Sequence, residues 1–223
     1  MYVFTKRLFD FIVSLILIIL LSPVLLAIII SLIAFRHTEI LYLQERIGYR
    51  NKKFKIIKFS TMLRNAEFMT GGTITVRNDP RVTRIGKFLR RTKFNELPQL
   101  FNILIGTMSF VGPRPLVDEG FEMYTDEVKQ KVYLSKPGLT GISSLLFRDE
   151  EKWVSETEMD PKDFYRYKIF PYKGELELWY YNNRSFGVDI MIILLTALKV
   201  IRPKLSIEKK VFKDLPVHDF FLN

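Results

Sequence analysis

Apolar residues are distributed along this chain in two different ways. From Phe11 to Phe35 there are 25 residues without a charge, interrupted only by Ser14, Ser22, Pro23 and Ser31. As a straight helix this run measures about 37 Å, enough to cross a bilayer core of roughly 30 Å with some tilt. It is too long for a cleaved signal peptide, and no small-residue cleavage site follows it. The sequence LSPV (21–24) sits near its midpoint, where Pro23 removes a backbone donor and predicts a break. Ser22 is placed to satisfy a carbonyl that the proline leaves free. Lys6 and Arg7 precede the run; Arg36, Arg46, Arg50, Lys52, Lys53, Lys55 and Lys58 follow it. Basic residues mark the cytoplasmic side, and here both flanks are basic. A helix that bends at Ser22-Pro23 and returns to the same face satisfies both; an ordinary kinked span is the alternative.

Beyond residue 40 the apolar positions come in short runs of changing period. Residues 39–49 (EILYLQERIGY) and 54–62 (FKIIKFSTM) alternate and predict two strands. Residues 84–91 (RIGKFLRR) predict a basic amphipathic helix with Ile85, Phe88 and Leu89 on one side, and 99–105 (QLFNILI) a second helix. Residues 109–115 (SFVGPRP) and 136–141 (KPGLTG) read as loops punctuated by Gly and Pro, and 149–166 as an acidic, helix-rich stretch. Residues 188–201 are strongly apolar but carry Asp189 and are too short to span comfortably, so they read as a buried or interfacial helix. The sum is a helix-rich α+β fold with two parts: a broken re-entrant membrane helix at 1–38, and a small membrane-associated domain of short strands and amphipathic helices at 39–223.

Composition narrows the chemistry. Of 223 residues, 34 are Lys or Arg and 24 are acidic, a net charge of +10. This balance suits an anionic membrane face, a phosphorylated substrate or nucleic acid, without choosing among them. A nucleic-acid binder would rest on charge alone, since no reading motif is present. There is no cysteine and only two histidines, His37 and His218. Cysteine-based zinc sites are therefore excluded, and a bound metal would have oxygen ligands, as magnesium or manganese prefers.

Four stretches carry candidate chemistry. In FNELPQL (94–100), Asn95 and Glu96 read either as a helix start, with Asn95 as N-cap and Glu96 in the first turn, or as half of a catalytic pair. The preceding stretch 77–93 is dense in Lys and Arg, Arg90 among them, and basic groups before a helix N-terminus suit phosphate. Arg114 lies between Pro113 and Pro115, which stiffen the backbone and would present its guanidinium for bidentate phosphate recognition. FRDEE (147–151) groups Asp149, Glu150 and Glu151 beside Arg148, a surface helix start or a metal or substrate site.

Taken together, the N-terminal KRLFDFIVSLILIILLSPVLL, then KFSTM, the block from Asn78 to Pro115 and KPGLTGISSL resemble the bacterial sugar transferase family, the monotopic phosphoglycosyl transferases. The resemblance runs from about residue 2 to 202. It implies a re-entrant helix broken at Ser22-Pro23 on the cytoplasmic face of a bacterial inner membrane. It implies transfer of a phospho-sugar from a UDP-sugar to polyprenol (undecaprenyl) phosphate with Mg2+, releasing UMP, as the first membrane step of glycan assembly. Membrane lipid is the implied environment, nucleic acid is not an implied partner, and a homo-oligomer is left open. The implied site contains Glu96 as catalytic residue and metal ligand, with Arg114, Arg90, Lys58, Pro113 and Pro115 at the substrate phosphates. One departure matters: the family pattern has a nucleophilic Asp where this chain has Asn95, and a neutral amide cannot form the covalent phospho-sugar intermediate. Ser60 and Thr107 also differ, standing where the family usually has a basic residue and an Asp. The three readings that follow are an engineered trapping change at Asn95, an active subgroup in which Glu96, Asp149 or Glu150 takes more of the burden, and a non-catalytic homologue acting as a scaffold or carrier-lipid-binding subunit.

Overall fold

The computed structural model describes residues 1–35, 39–64, 66, 79–148, 150–203 and 207–218. The flank residues Arg36 and His37, and the family-block residue Asn78, lie outside the described residues, as does Asp149. Helix α1 runs unbroken from Tyr2 to Ala34 with Pro23 inside it. The helical run therefore continues through the residue at which the bend is expected, for a local reason. Pro23 cannot donate to the carbonyl of Ile19 four residues back, and the Ser22 hydroxyl donates to that same carbonyl at 2.8 Å instead.

One stripe of α1 faces the rest of the protein along its whole length. Asp10 and Ser14, then Leu25, Ile28 and Leu32, are buried at intervals of four, eleven, three and four, with Leu17, Ile18 and Leu21 half-buried between them. Before Pro23 the stripe packs on the main core; after it, Leu25, Ile28 and Leu32 meet Phe59 and Leu89. The opposite face exposes Leu8, Phe11, Ile12, Leu15, Ile16, Ile19 and Leu20. Only 11 % of the most apolar stretch is buried, so α1 is not the core helix of a soluble protein; its outer face belongs in lipid.

Polar contacts fix the start of α1. Arg7 donates through both terminal nitrogens to the carbonyls of Ile103 and Leu104, each at 2.7 Å. These belong to the last turn of α3 (Gln99–Ile105), which Gly106 ends at φ 90, the left-handed region glycine tolerates. Asp10 accepts from the Phe110 amide at 3.1 Å. Asp189, in the first turn of α10 (Phe186–Ile201), receives Lys6 at 2.6 Å, Tyr2 at 2.8 Å and Tyr180 at 2.7 Å. The charge in that apolar helix is thus a buried anchor for α1. As expected, α10 buries one face (Asp189, Ile192, Leu195) and exposes Met191, Leu194, Val200 and Ile201.

The two expected strands form an antiparallel hairpin, β1 (Leu41–Ile47) and β2 (Lys53–Phe59). The expected loops at 109–115 and 136–141 each contain a strand: β3 (Ser109–Val111) and β4 (Gly138–Thr140) pair in parallel. The glycines that suggested loops mark a close approach of backbones. A Cβ on Gly138 would lie 2.2 Å from the Gly112 nitrogen, and one on Gly112 would lie 2.1 Å from the Lys136 carbonyl oxygen.

The basic helix is α2 (Arg84–Thr92), capped by the Thr83 hydroxyl, which accepts from Gly86. It buries Leu89 and packs Ile85, but Phe88 turns outward, edge-on to Phe94. Short helices α4 (Asp118–Glu122), α5 (Asp126–Lys131) and α6 (Ile142–Leu146) follow. The acidic stretch holds α7 (Glu150–Glu156) and α8 (Pro161–Phe164), the latter continuing through a π-helical turn at Tyr165–Ile169 into α9 (Phe170–Asn183). Helix α11 (Glu208–Val211) closes the chain over the core, where Phe212 meets Trp179 edge-on. Leu176, Ile103, Ile142, Ile169 and Ile192 form the centre of that core.

Candidate functional site

Glu96 reaches its position through a short relay of turns. Lys93 adopts φ 61 after α2, and Phe94–Glu96 form a 3₁₀ turn directly before α3. Asn95 does not cap α3, contrary to the sequence expectation. The backbone is already helical at Phe94–Leu97, with Leu97 donating to Phe94 and Leu100 to Leu97, so Asn95 lies inside the helical run. Pro98 takes the cap position without a side-chain bond. The Asn95 amide oxygen is buried with no hydrogen-bond partner.

Helix α3 is held to β2 by Asn102, which donates to the Lys55 carbonyl and accepts from the Ile57 amide, both at 2.9 Å. Thr107 bonds to Asn102 in turn, so the threonine at the family's Asp position braces this joint. The joint sets Glu96 beside Lys58 near the end of β2, with Glu96 Oε1 3.9 Å from Lys58 Nζ and 3.7 Å from an Arg114 terminal nitrogen. Lys58 and Glu96 are mostly buried, at 17 % and 16 % side-chain exposure, whereas Arg114 is 44 % exposed. Arg46, Gln99, Pro115, Gly138 and Leu139 complete this narrow cleft.

Each backbone carbonyl of the Pro113–Pro115 segment is tied down. Pro113 accepts from the Gly138 amide at 2.9 Å, Arg114 accepts from the Tyr133 hydroxyl at 2.7 Å, and Pro115 accepts from Arg46 at 3.3 Å. The stiffness inferred from the flanking prolines is therefore reinforced from three elements.

Electrostatically the cleft is a ring of cations around one carboxylate. Burial acts to raise the Glu96 pKa, but Arg114, Lys58, Lys93 and Arg46 outweigh it and hold the group below the ordinary range. Burial pushes Lys58 down to about 7, helped by Arg114, Arg46 and Arg90 and opposed by Glu96. Burial likewise brings Arg46 down to about 10, with Arg114 adding to it. Glu96 raises Arg114, and Glu150 adds to that from the start of α7. Glu150 is paired with Lys173 of α9, whose ammonium lies 5.1 Å from the Phe147 ring centroid. A cleft with this balance suits phosphate groups. A larger depression at the outer edge of β1 is lined by Glu39, Glu45, Asp118 and Glu119 and has the wrong sign for them.

Of the residues expected at the site, Glu96, Lys58, Arg114 and Pro115 meet in one cleft, and Pro113 holds its wall. Arg90 stands one layer behind, donating to the Thr61 hydroxyl at 2.9 Å while adding to the potential at Lys58. Ser22 and Pro23 act within α1. Arg46, Lys93, Lys173 and Glu177 were not singled out from sequence. The first two were visible only as members of basic runs, and the last two lie in a helix whose register with the site no local pattern shows.

A magnesium ion has a limited fit. Among the described residues no three acidic or histidine side chains come together as a metal site. Glu96 is one carboxylate among cations, and Mg2+ is commonly held by one or two carboxylates plus substrate phosphates. Glu96 would therefore hold the ion only together with those phosphates, whose charge the ion would partly neutralise.

The sequence pattern of the bacterial sugar transferase family matches residues 1–203. An undecaprenyl-phosphate galactose phosphotransferase of Salmonella typhimurium is 32% identical over 213 residues, covering 89% of this chain and 41% of that protein. A UDP-glucose:undecaprenyl-phosphate glucose-1-phosphate transferase of Klebsiella pneumoniae is 36% identical over 198 residues, covering 87% of this chain and 39% of that protein. The exopolysaccharide production protein ExoY of Sinorhizobium fredii is 36% identical over 171 residues, 70% of this chain and 75% of that protein. The chain spans about two fifths of the length of the first two.

Proposed function

The chain belongs to the bacterial sugar transferase family, and from that membership we propose that it moves a phospho-sugar from a UDP-sugar to polyprenol phosphate. The observation that carries the reading is the Glu96 carboxylate held between Lys58 and Arg114 in a cationic cleft, in a chain whose N-terminal helix is long, apolar and mostly exposed. Relatives named for galactose and glucose transfer to undecaprenyl phosphate support the substrate class. The chain sits at the cytoplasmic face of the inner membrane, with α1 entering and leaving through one side. What supports this topology is the buried stripe of α1, which stays on the same body before and after Pro23. Cysteines placed at Thr5 and Asn51 label from the same side of sealed vesicles; labelling from opposite sides would show a span.

The reaction is a single displacement. A terminal oxygen of polyprenol phosphate attacks the phosphorus that bears the sugar, the bond from that phosphorus to UMP breaks, and UMP leaves with the electron pair. A phosphate monoester, with its second ionisation near pH 6, needs no base to attack at neutral pH. Arg114 and Lys58 hold the phosphates, and magnesium, when bound, offsets their charge. Glu96, ionised and paired with two cations, is a weak nucleophile and serves as anchor for them. Asn95 cannot form an adduct. The test is UMP release from UDP-glucose, UDP-galactose and UDP-N-acetylgalactosamine with Mg2+, with and without polyprenol phosphate, followed by intact mass. UMP should appear only with the acceptor, and the protein mass should not change. A phospho-sugar adduct on the wild type would refute the single displacement. Failure with every UDP-sugar would refute the transferase and favour the scaffold.

A further inference from the structure

Gln44 and Arg46 stand two apart on β1, so their side chains leave the same face of the hairpin, and both are half-buried. The Arg46 guanidinium donates twice to the Gln44 amide oxygen, through Nε at 3.0 Å and through a terminal nitrogen. Its other terminal nitrogen reaches the Pro115 carbonyl at 3.3 Å. Both neighbours are neutral. Among the described residues no acid lies within ion-pair distance of Arg46, whereas Lys58 and Arg114 both have Glu96. A half-buried cation bonded only to neutral acceptors has lost water without gaining a counter-charge. Burial and Arg114 accordingly pull its pKa down to about 10, against Tyr42, Tyr133 and Glu96.

Glutamine at position 44 has a consequence that glutamate would not. A carboxylate there would take the same two N–H groups and cancel the charge behind them. The amide fixes the guanidinium plane and leaves that charge uncompensated. Three of the five N–H groups of Arg46 are used in this way, and two are left. Arg46 lines the cleft beside Lys58 and Arg114. Spare donors and an uncancelled charge in that place suit an anion with several oxygen acceptors, which is what a phosphate supplies.

We propose that Gln44 is a positioning residue for Arg46: it holds the guanidinium at the cleft without neutralising it, so that Arg46 binds a substrate phosphate there. The inference rests on the transferase reading only in taking that cleft as the phosphate site. Gln44 acts through Arg46. Gln44→Glu keeps the acceptor and the shape but supplies a counter-charge, and Gln44→Leu removes the acceptor and frees the guanidinium to turn.

The probes are UMP and geranyl phosphate, monoesters that stand for the nucleotide and the lipid phosphate. Each is titrated calorimetrically against the full chain in lipid nanodiscs, and Tm is read on the same samples. Arg46→Ala should weaken at least one probe about tenfold or more, and the probe that loses identifies the phosphate. For that probe Gln44→Glu should cost a similar factor while Tm holds or rises, because an ion pair replaces a neutral bond. Gln44→Leu should cost a smaller factor, and nothing further in an Arg46→Ala background, where the group it positions is gone. A merely structural role would make affinity and Tm fall together in Gln44→Glu, and that result overturns the inference. So does a Gln44→Glu or Gln44→Leu protein that binds both probes as wild type does, or a leucine loss that multiplies with Arg46→Ala. If the leucine variant does not fold, Gln44→Glu with its Tm decides. Both affinities unchanged in Arg114→Ala would overturn the reading of the cleft itself. Wild-type affinities in Arg46→Ala beside a loss in Arg114→Ala would overturn this inference alone.

Discussion

In the proposed transferase, Lys58 should make nucleotide binding depend on protons in a way that can be measured. Its ammonium is held near neutrality because burial and three neighbouring cations disfavour the charged form more than Glu96 supports it. A bound diphosphate adds negative charge beside it and restores a pKa towards the ordinary lysine value near 10.4. Below pH 7 the lysine is charged in both free and bound protein, and affinity is flat. Above pH 7 the free protein is increasingly neutral at Lys58, so binding must take up a proton, and Kd rises tenfold for each pH unit. At pH 8.5 the loss is about 30-fold, or about 2 kcal/mol. The assay is calorimetric titration of UDP-glucose or UDP-galactose, at fixed magnesium, between pH 6 and 8.5 in two buffers of different ionisation enthalpy. A UDP-sugar suits it because its doubly esterified diphosphate has no proton to lose in this range. The buffer dependence should show uptake of nearly one proton at pH 8.5 and almost none at pH 6. Lys58→Arg cannot deprotonate and should make the profile flat, close to the wild-type affinity at pH 6. A wild-type Kd constant within twofold from pH 6 to 8.5, with no proton uptake, would refute the argument. So would a pH dependence that survives Lys58→Arg, because another group would then be responsible.

Three further outcomes follow from the same site. Arg114→Lys keeps a charge but loses the planar fork, so UDP-sugar binding and turnover should fall nearly as far as in Arg114→Ala; full activity in the lysine variant would show that charge alone suffices. Glu96→Gln removes the anion between two cations and should cost on the order of 10² in turnover, read as initial rates of UMP release. Burial raises the Glu177 carboxyl to about 7 against the pull of Ser143 and Lys173. Stability from a raised acid is complete below its unfolded pKa and fades as pH climbs to the folded one. Relative to Glu177→Gln, the wild type should lose about 3 kcal/mol between pH 4.5 and 7, roughly 6 to 12 °C in Tm; a constant Tm difference would contradict it.

The legibility of this fold in its sequence follows from how local each cause is. The hairpin, α2 and α10 were readable because their apolar positions repeat with the period of the element they form. Strands β3 and β4 were not, because three-residue strands have no period and their glycines look like loop residues. Only the parallel pairing of 109–111 with 138–140 shows that those glycines admit a neighbouring backbone. Pro23 leaves the Ile19 carbonyl without its backbone donor and the Ser22 hydroxyl supplies one, as Ser14 and Ser31 also bond back along this helix, so the helical run continues through the proline. At the site, Arg114 was legible because prolines advertise a stiff backbone, and Glu96 because its motif is distinctive. Glu177 and Lys173 were invisible, because only the packing of α9 brings them to Ser143 and Glu150.

Asn95 looks at first like a lost function, yet the charge around Glu96 gives it a consistent meaning. A covalent scheme meets its two substrates in turn, so the cleft need hold only one polyanion at a time. A single displacement must hold the UDP-sugar diphosphate and the polyprenol phosphate together, about three and a half to four negative charges at neutral pH. Four cations, Arg46, Lys58, Lys93 and Arg114, act on Glu96 as the one carboxylate between them. A second carboxylate at position 95 would cancel one more of those charges while both anions are bound. The neutral amide keeps the cleft more positive, which is what simultaneous binding requires, and leaves the remaining repulsion to magnesium. The kinetic consequence is a sequential mechanism, with intersecting rather than parallel double-reciprocal lines for the two substrates. Asn95→Asp should shift the balance the other way, weakening ternary binding while supplying a nucleophile, so a phospho-sugar adduct should appear in that variant and not in the wild type. Parallel lines for the wild type would mean that some acid in this cleft attacks after all, and Glu96 would be the first to examine.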